Sequence, residues 1–272
     1  MDSSVGAALA GLVGADTWMG AGVSASRVRD LVVVDLGAKA LVIACDSNAA
    51  TGDKPGDYLK QDPIITGYSA AKVPLMEVLA SGAVPFLLVN NLCCDLATTG
   101  VRILAGIREL LDQTGVDLMV TGSDESNMPT VQTGLGVTVI GIVDKEALRL
   151  GGVRAGDEVW VVGLRRSGIP NDEYDEGDGG TGTAIHVKTA LELPGVHEVL
   201  PVGSHGVAHE VGELARVGEV SIDLREGLET DLHASAGAST CFLVACDPQA
   251  SARLRELDLP LELVGEARAL AD

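Results

Sequence analysis

The sequence predicts an enzyme fold of the α/β or α+β class, and three observations carry that expectation. Of its 272 residues, 46% are hydrophobic but only 3% aromatic, so the core must be built of Val, Leu, Ile and Ala. Short apolar runs closed by Gly, Asp or Asn alternate with stretches of helical periodicity along most of the chain. The length is enough for one large domain or two small ones.

The elements follow in order. Residues 1–30 are rich in Gly and Ala and give no clear pattern. "LVVVDLGAKALVIACD" is two apolar runs joined by Asp35, Leu36 and Gly37, which predicts a β-hairpin over 31–45. Both faces of these strands are apolar, which predicts burial against a partner sheet, most simply in a two-fold homodimer. "GYSAAKVPLMEVLASGA" (67–83) reads as a helix that contains Pro74 and ends at Gly82. "VPFLLVNNLCC" (84–94) reads as a strand. "TGVRILAGIRELLDQTG" (99–115) is an amphipathic helix with Ile103, Ile107, Leu110 and Leu111 on one face. Strands follow in "VDLMV" and "LGVTVIGIVDKEAL".

"LGGVRAGDEVWVVG" (150–163) looks like a junction leading into a new strand, which places a domain boundary near Gly151 and gives domains of 1–150 and 151–272. The acidic, Gly-rich run 171–183 predicts a loop: a linker, a hinge or a flap over a ligand. The second half alternates helix (Thr189 to Leu193, Glu210 to Arg216) with strand (Glu198 to Val202, Cys241 to Cys246).

Net charge and cysteines restrict the partners. A formal charge of −20 repels phosphate backbones, so nucleic acid is not an expected partner. An anionic ligand would need Mg²⁺ or backbone N–H groups beside it. The five cysteines form no C-x-x-C pattern and read as reduced thiols of a cytoplasmic protein. No signal-like leader is expected, and no apolar run reaches the ~18 residues of a membrane span.

Candidate chemistry collects where apolar strands turn polar. In "VIACDSNAATGDKPGD" a core strand delivers Asp46 and then a loop marked by Gly and Pro, with Lys54 in it. Asp124 and Glu125 follow another strand in "TGSDESNMPT"; Glu77 lies in the helix before "ASGA", and Asp30 precedes the first hairpin. Oxygen ligands from separate strand ends suit Mg²⁺, which keeps some of its waters and takes further oxygens from phosphates. Any one of these carboxylates could cap a turn or sit in water instead; four such spots together point to Mg–nucleotide chemistry. No G-x-x-x-x-G-K-[ST] loop and no strand-borne G-x-G-x-x-G occur. "GSHGVAHE" (203–210) reads as a turn into a helix whose first N–H groups, at Gly203, Ser204, His205 and Gly206, could seat a phosphate. A plain Ser-capped turn is the competing reading, and a metal pair at His205 and His209 a third.

These words resemble those of the PurM-like (aminoimidazole ribonucleotide synthetase-related) superfamily. "TGSDESNMPTVQTGLGVTVIGIVDKEAL" is similar to its Gly-Gly-Glu/Asp-Thr…Met-Pro signature. "DLVVVDLGAKALVIACDS" is similar to its Asp-Asp-Ala…Thr-Asp-Ser strand pair, and "DPIITGYSAAKVPLMEVLASGAVP" to its Asp-Pro…Ala-x-Gly-Ala-x-Pro helix. The resemblance implies an α+β fold: an N-terminal sheet domain that dimerises, a C-terminal α/β sandwich domain, and ATP with Mg²⁺ between them. It matches Asp30, Asp46, Glu77 and Asp124 to the family's acidic positions, which implies metal ligands there. The residues themselves read as nucleotide contacts at Asp46, Asp124, Glu125, Asn127 and the Gly203–Gly206 turn, where "VGSHGVAHE" replaces the family's Asp-Gly-rich motif. Lys54 would neutralise the transferring phosphoryl beside Asp46. Arg29 stands where the family has an aspartate, and Pro74 where it has Asn. Within the superfamily "ACDSNAATGDKPGD" and "EVLPVGSHGVAHEVGELA" resemble α-ribazole kinase-like proteins, which implies ATP-dependent phosphorylation of the 5′-hydroxyl of a nucleoside in cobamide nucleotide-loop salvage. A thiamine-monophosphate kinase-like enzyme and a non-catalytic nucleotide-binding regulator are the alternatives.

Overall fold

The computed structural model describes residues 17–20, 22–167 and 179–270. A seven-stranded sheet is built by β1 (Thr17–Gly20), β2 (Val23–Val28), β3 (Leu31–Asp35), β4 (Lys39–Ala49), β7 (Val84–Leu92), β8 (Met119–Asp124) and β9 (Gly134–Asp144). Its order is β1-β2-β3-β4-β9-β7-β8. All its neighbours are antiparallel except β7 and β8, which are parallel and joined through helix α2 (Val101–Thr114). Two short strands, β5 (Thr51–Gly52) and β6 (Leu59–Lys60), pair in the loop between β4 and helix α1 (Pro63–Ala80). A second, five-stranded antiparallel sheet runs β11-β13-β10-β14-β12. Its strands are β10 (Glu158–Val162), β11 (Val196–Pro201), β12 (Val220–Leu224), β13 (Phe242–Cys246) and β14 (Leu261–Ala269), with helices α3 (Ala184–Glu192) and α4 (Val207–Gly218).

The hairpin expected over 31–45 is β3 and β4, which pair from Val32↔Ile43 to Asp35↔Ala40. Helix α1 starts at Pro63 rather than Gly67. Asp62 caps it by accepting the Ile64 N–H at 2.8 Å, and Pro63 occupies the first turn, where its missing N–H costs nothing. Gly67 is therefore interior to the helix, at the crossing with α2. A Cβ on Gly67 would stand 2.1 Å from the Ile103 carbonyl oxygen, and one on Gly106 would stand 1.8 Å from that of Ile64. The two helices thus touch backbone to backbone, which only glycine permits. Helix α3 begins at Ala184, five residues before the predicted Thr189, because Thr183 and His186 close a reciprocal cap at its first turn. Strands β1, β2, β12 and β14 were not anticipated. Residues 171–178 of the acidic run lie outside the described residues; 179–183 lead irregularly into α3.

Burial alternates along the central strands. Ala40, Val42 and Ala44 of β4, with Val137, Val139 and Val143 of β9, are buried, whereas Leu41, Ile43, Ile140 and Ile142 between them are half-buried on the opposite face. The buried face packs on α1. One hydrophobic cluster runs from these residues through Leu75, Met76 and Val78 of α1 into Val187 and Ala190 of α3 and Phe242 and Val244 of β13. The core is therefore continuous from the first sheet to the second.

Candidate active site between the two sheets

A cavity of about 410 Å³ opens where the two halves meet. Asp46, Ser47, Asn48, Thr51, Gln61 and Ser69 line it from the first half, and Ser167, Ser204, Gly237 and Ala238 from the second. The residues that build it follow from local structure. The alternation of β4 that buries Val42 and Ala44 carries Asp46 and Asn48 to the same face. Ser69 lies on the face of α1 that packs inward. No Lys, Arg or His is among the described residues lining this cavity.

A much narrower space of about 30 Å³ lies among Arg29, Asp30, Glu77, Gly203 and Glu210. Four carboxylates are coupled here. Burial first, then the charges of Asp30, Asp46 and Glu210, push Glu77 up from 4.5 to about 8. Burial and the charge of Asp30 raise Glu210 to about 7, against the opposing effects of the Gly203 N–H and Arg29. Asp46 is also raised, mainly by burial, although the Ser47 N–H works the other way.

Several buried polar atoms around these spaces have no partner among the described residues: Asn48 Oδ1 and Ser69 Oγ at the larger cavity, and Glu77 Oε2 at the narrower space. An orphaned buried polar atom costs ~1–3 kcal/mol. Such atoms mark places where something else binds. The mutually repelling carboxylates and the orphaned Glu77 oxygen fit a hard cation such as Mg²⁺, with Asp30, Asp46 and Glu77 as the oxygens that would hold it. These three do not converge as closely as a full ligand set: among the described residues, the one group of three metal-ligating side chains with atoms all within 4.8 Å of one another is Asp157, His197 and Asp247. A cation here would therefore keep waters and take oxygens from a ligand.

The structure brings together Asp30, Asp46, Glu77, Gly203 and Ser204 of the residues predicted from sequence. It does not bring Asp124 to them. Two strands, β9 and β7, separate β4 from β8, and Asp124 instead lines a groove of about 520 Å³ between β8 and α2. There Ser126 hydrogen-bonds to it. Glu125 accepts the N–H groups of Asn127 at 2.7 Å and Met128 at 3.1 Å, so it organises the turn after β8. Lys54 also stands apart from the cleft lining: its Nζ donates to Thr130 Oγ1 at 3.0 Å and pairs with Asp95 at 3.5 Å. Within the chain the predicted groups thus lie in two places, because β8 joins the sheet at its far edge.

The Gly203–Gly206 turn is also less open than its sequence suggests. The Gly203 N–H is taken by the Glu210 carboxylate, and the Gly206 N–H donates to the Gly203 carbonyl at 3.2 Å. Gly206 has φ 81°, and a Cβ there would meet the Leu232 and Ala234 carbonyls at 2.8 Å. Its glycine serves the turn. His205 is exposed and its ring lies 4.9 Å from that of His209. Sequence reasoning missed Asn48, Ser69, Ser167 and Glu210; Glu210, an acidic residue in the first turn of α4, was the one with a visible signal.

Comparison with known proteins gives the setting. Residues 28–143 match the family model described as AIR synthase related protein, N-terminal domain. No curated protein sequence matches the chain. Among solved structures, thiamine-monophosphate kinase from Stenotrophomonas maltophilia is 17% identical, covers 97% of this chain and 92% of its own, and has a TM-score of 0.59. AaThiL complexed with AMPPCP and TMP is 16% identical over 98% of this chain and 90% of its own, with a TM-score of 0.64. PurL of T. maritima complexed with ATP is 19% identical over 88% of this chain and 42% of its own, with a TM-score of 0.59. The described helices include none long and apolar enough to cross a membrane. The two sheets, their helices and the cleft between them therefore form the α+β, PurM-like fold, and the first half matches the AIR synthase-related N-terminal family.

Proposed function

We propose that the protein is an ATP-dependent phosphotransferase acting on the hydroxyl of a small neutral acceptor, with α-ribazole or a close nucleoside as that acceptor. The observation that carries this reading is the set of orphaned polar atoms, Asn48 Oδ1 and Ser69 Oγ at the cleft and Glu77 Oε2 in the narrower space. Phosphoryl transfer needs positioning and charge neutralisation more than covalent chemistry by the protein. A bound Mg²⁺ would neutralise charge on the phosphates. The chain's own part is to hold that cation through Asp30, Asp46 and Glu77, and to orient the acceptor. Asn48 Oδ1 can accept a hydrogen bond from a ribose hydroxyl, and Ser69 can give or take one. Ser47, Thr51, Ser167 and Ser204 extend the same hydroxyl lining. Among the described residues the cleft lining offers hydroxyls, amides and the Asp46 carboxylate and no cationic side chain, which suits an uncharged nucleoside better than a phosphomonoester. Lys54, Asp124, Glu125 and Asn127 stand apart from this carboxylate cluster, and we give them no part in holding the cation or the acceptor.

A second reading is favoured by the fold's likeness to thiamine-monophosphate kinase, and makes that phosphomonoester the acceptor. One assay separates the two: labelled ATP and Mg²⁺ with α-ribazole, adenosine and thiamine monophosphate offered in parallel. Label on the nucleoside is expected. Label on thiamine monophosphate alone overturns the acceptor and leaves the phosphotransferase intact; ATP binding with no transfer to any acceptor defeats both.

A further inference from the structure

Outside the cleft, a histidine lies between two aspartates from separate segments. Asp157 precedes β10 and is buried, with its side chain 3% exposed. One of its oxygens accepts the Arg154 N–H at 2.9 Å, and both face His197 Nδ1, at 2.9 and 3.0 Å. Asp247 follows the last residue of β13, and its N–H donates to the Gly195 carbonyl at 2.9 Å. Its exposed carboxylate stands 3.6 Å from His197 Nε2.

The backbone aims the histidine. Strand β11 pairs with β13 at Val196↔Cys246 and at Glu198↔Ala245, so His197 is the extra residue of a β-bulge. A bulge turns a side chain out of the regular alternation. Here it brings the ring between the start of β10 and the end of β13.

The distances match the needs of a metal. Two ligands about 2.0–2.1 Å from a tetrahedral Zn²⁺ stand roughly 3.3 Å apart. The 3.6 Å between His197 Nε2 and Asp247 is too long for a good hydrogen bond and within a small side-chain adjustment of that edge. On the other ring nitrogen, a buried carboxylate holds the proton at Nδ1 and leaves the Nε2 lone pair facing outward. This is the carboxylate–histidine arrangement that orients metal-binding imidazoles.

We propose that Asp157, His197 and Asp247 form a binding site for a borderline divalent cation such as Zn²⁺. His197 Nε2 and Asp247 supply the ligands, Asp157 fixes the ring, and water completes the coordination. An imidazole nitrogen in the set selects against Mg²⁺, which prefers oxygen. Because Asp247 is exposed, the ion exchanges with solvent. It ties the ends of β10, β11 and β13 together.

The test uses the full chain, stripped with a chelator, with Cys45 and Cys93 changed to Ser so that exposed thiols cannot compete. Zn²⁺ is titrated by calorimetry, and Co²⁺ is followed by its visible absorption. One equivalent of each is expected, undisturbed by millimolar Mg²⁺. Asp247→Asn, at an exposed position that leaves the fold intact by circular dichroism, should weaken binding at least tenfold. His197→Gln should abolish the Co²⁺ band, and Asp157→Asn should weaken affinity by ~10–100-fold. Failure of the parent protein to bind either ion overturns the proposal. So does binding of equal affinity in Asp247→Asn.

Discussion

Arg29, in the turn between β2 and β3, forms a buried ion pair with Glu198 of β11, a residue 169 positions away. Glu198 is fully buried and also accepts the N–H groups of Gly151 and Val153, both at 3.0 Å. Arg29, which borders the narrower space beside Glu77 and Glu210, thus clamps the first half onto the second. Arg29→Met should strand a buried carboxylate and destabilise the protein by about 3–5 kcal/mol. Glu198→Leu should cost at least as much, since it orphans two N–H groups as well. A urea double-mutant cycle measures the coupling; additive effects would show that the pair contributes nothing.

The carboxylate cluster makes stability depend on pH. An acid whose folded pKa is raised is protonated in the native state while its unfolded counterpart has already ionised. Its contribution is therefore complete below the unfolded value of 4.5 and is lost as pH rises through about 8 for Glu77 and about 7 for Glu210. Without added cation, the urea midpoint should fall from pH 5 to pH 9. Glu77→Gln should flatten that fall and be the more stable protein at pH 9. An unchanged slope in the variant would place the dependence elsewhere.

Ser69 supplies a cost-free test of the cleft. Its buried hydroxyl has no partner, so Ser69→Ala removes an unsatisfied group and should leave Tm unchanged or slightly raised. The same change should raise KM for the nucleoside by ~3–10-fold, the loss of one hydrogen bond, with KM for ATP unaltered. A fall in Tm with unchanged KM would make Ser69 a structural residue only.

Asp46 touches both the cleft and the carboxylate cluster. Asp46→Asn should lower turnover by on the order of 10²-fold or more while preserving the circular dichroism spectrum. Near-normal turnover at limiting Mg²⁺ would remove it from the metal site.

The face of the first sheet opposite α1 carries Leu41↔Ile142 and Ile43↔Ile140 as directly opposed pairs, with Val84 and Phe86 exposed nearby. We propose that a second copy covers it in a two-fold dimer. Light scattering should give twice the chain mass at micromolar concentration, and Ile43→Asp should give the monomer. A monomeric parent protein would defeat the proposal.

The central elements were legible because local signals agreed with the fold. β3 and β4 carry uninterrupted aliphatic runs around a Gly turn, and α2 has a clean apolar face at Ile103, Ile107, Leu110 and Leu111. The start of α1 was misplaced because a glycine was taken for a boundary when it marks a helix crossing. β14 was missed because its sequence, "LELVGEARA", mixes charge into the alternation. In the site, Asp46 announced itself as a carboxylate following an apolar run, although β4 does not end there but continues to Ala49, with Asp46 paired to Val137. Ser69 did not, since a small hydroxyl in an apolar helix looks like packing. It stands eight residues before Glu77, two helical turns along, and that spacing is the signal available. Asp124 stands apart from Asp46 in the chain because sheet order is set by long-range pairing, which no local pattern records.

The hydrophobic cluster that passes from the first sheet through α1 and α3 into the second has a mechanical consequence. Swinging the halves apart would expose Val187, Ala190, Phe242 and Val244 to water, all of them fully buried. Opening the cleft by rigid-body rotation should therefore be costly, since it would return this apolar surface to water. The same continuity removes any boundary at which one half could melt before the other, so a heating scan should show a single endotherm with equal calorimetric and van't Hoff enthalpies.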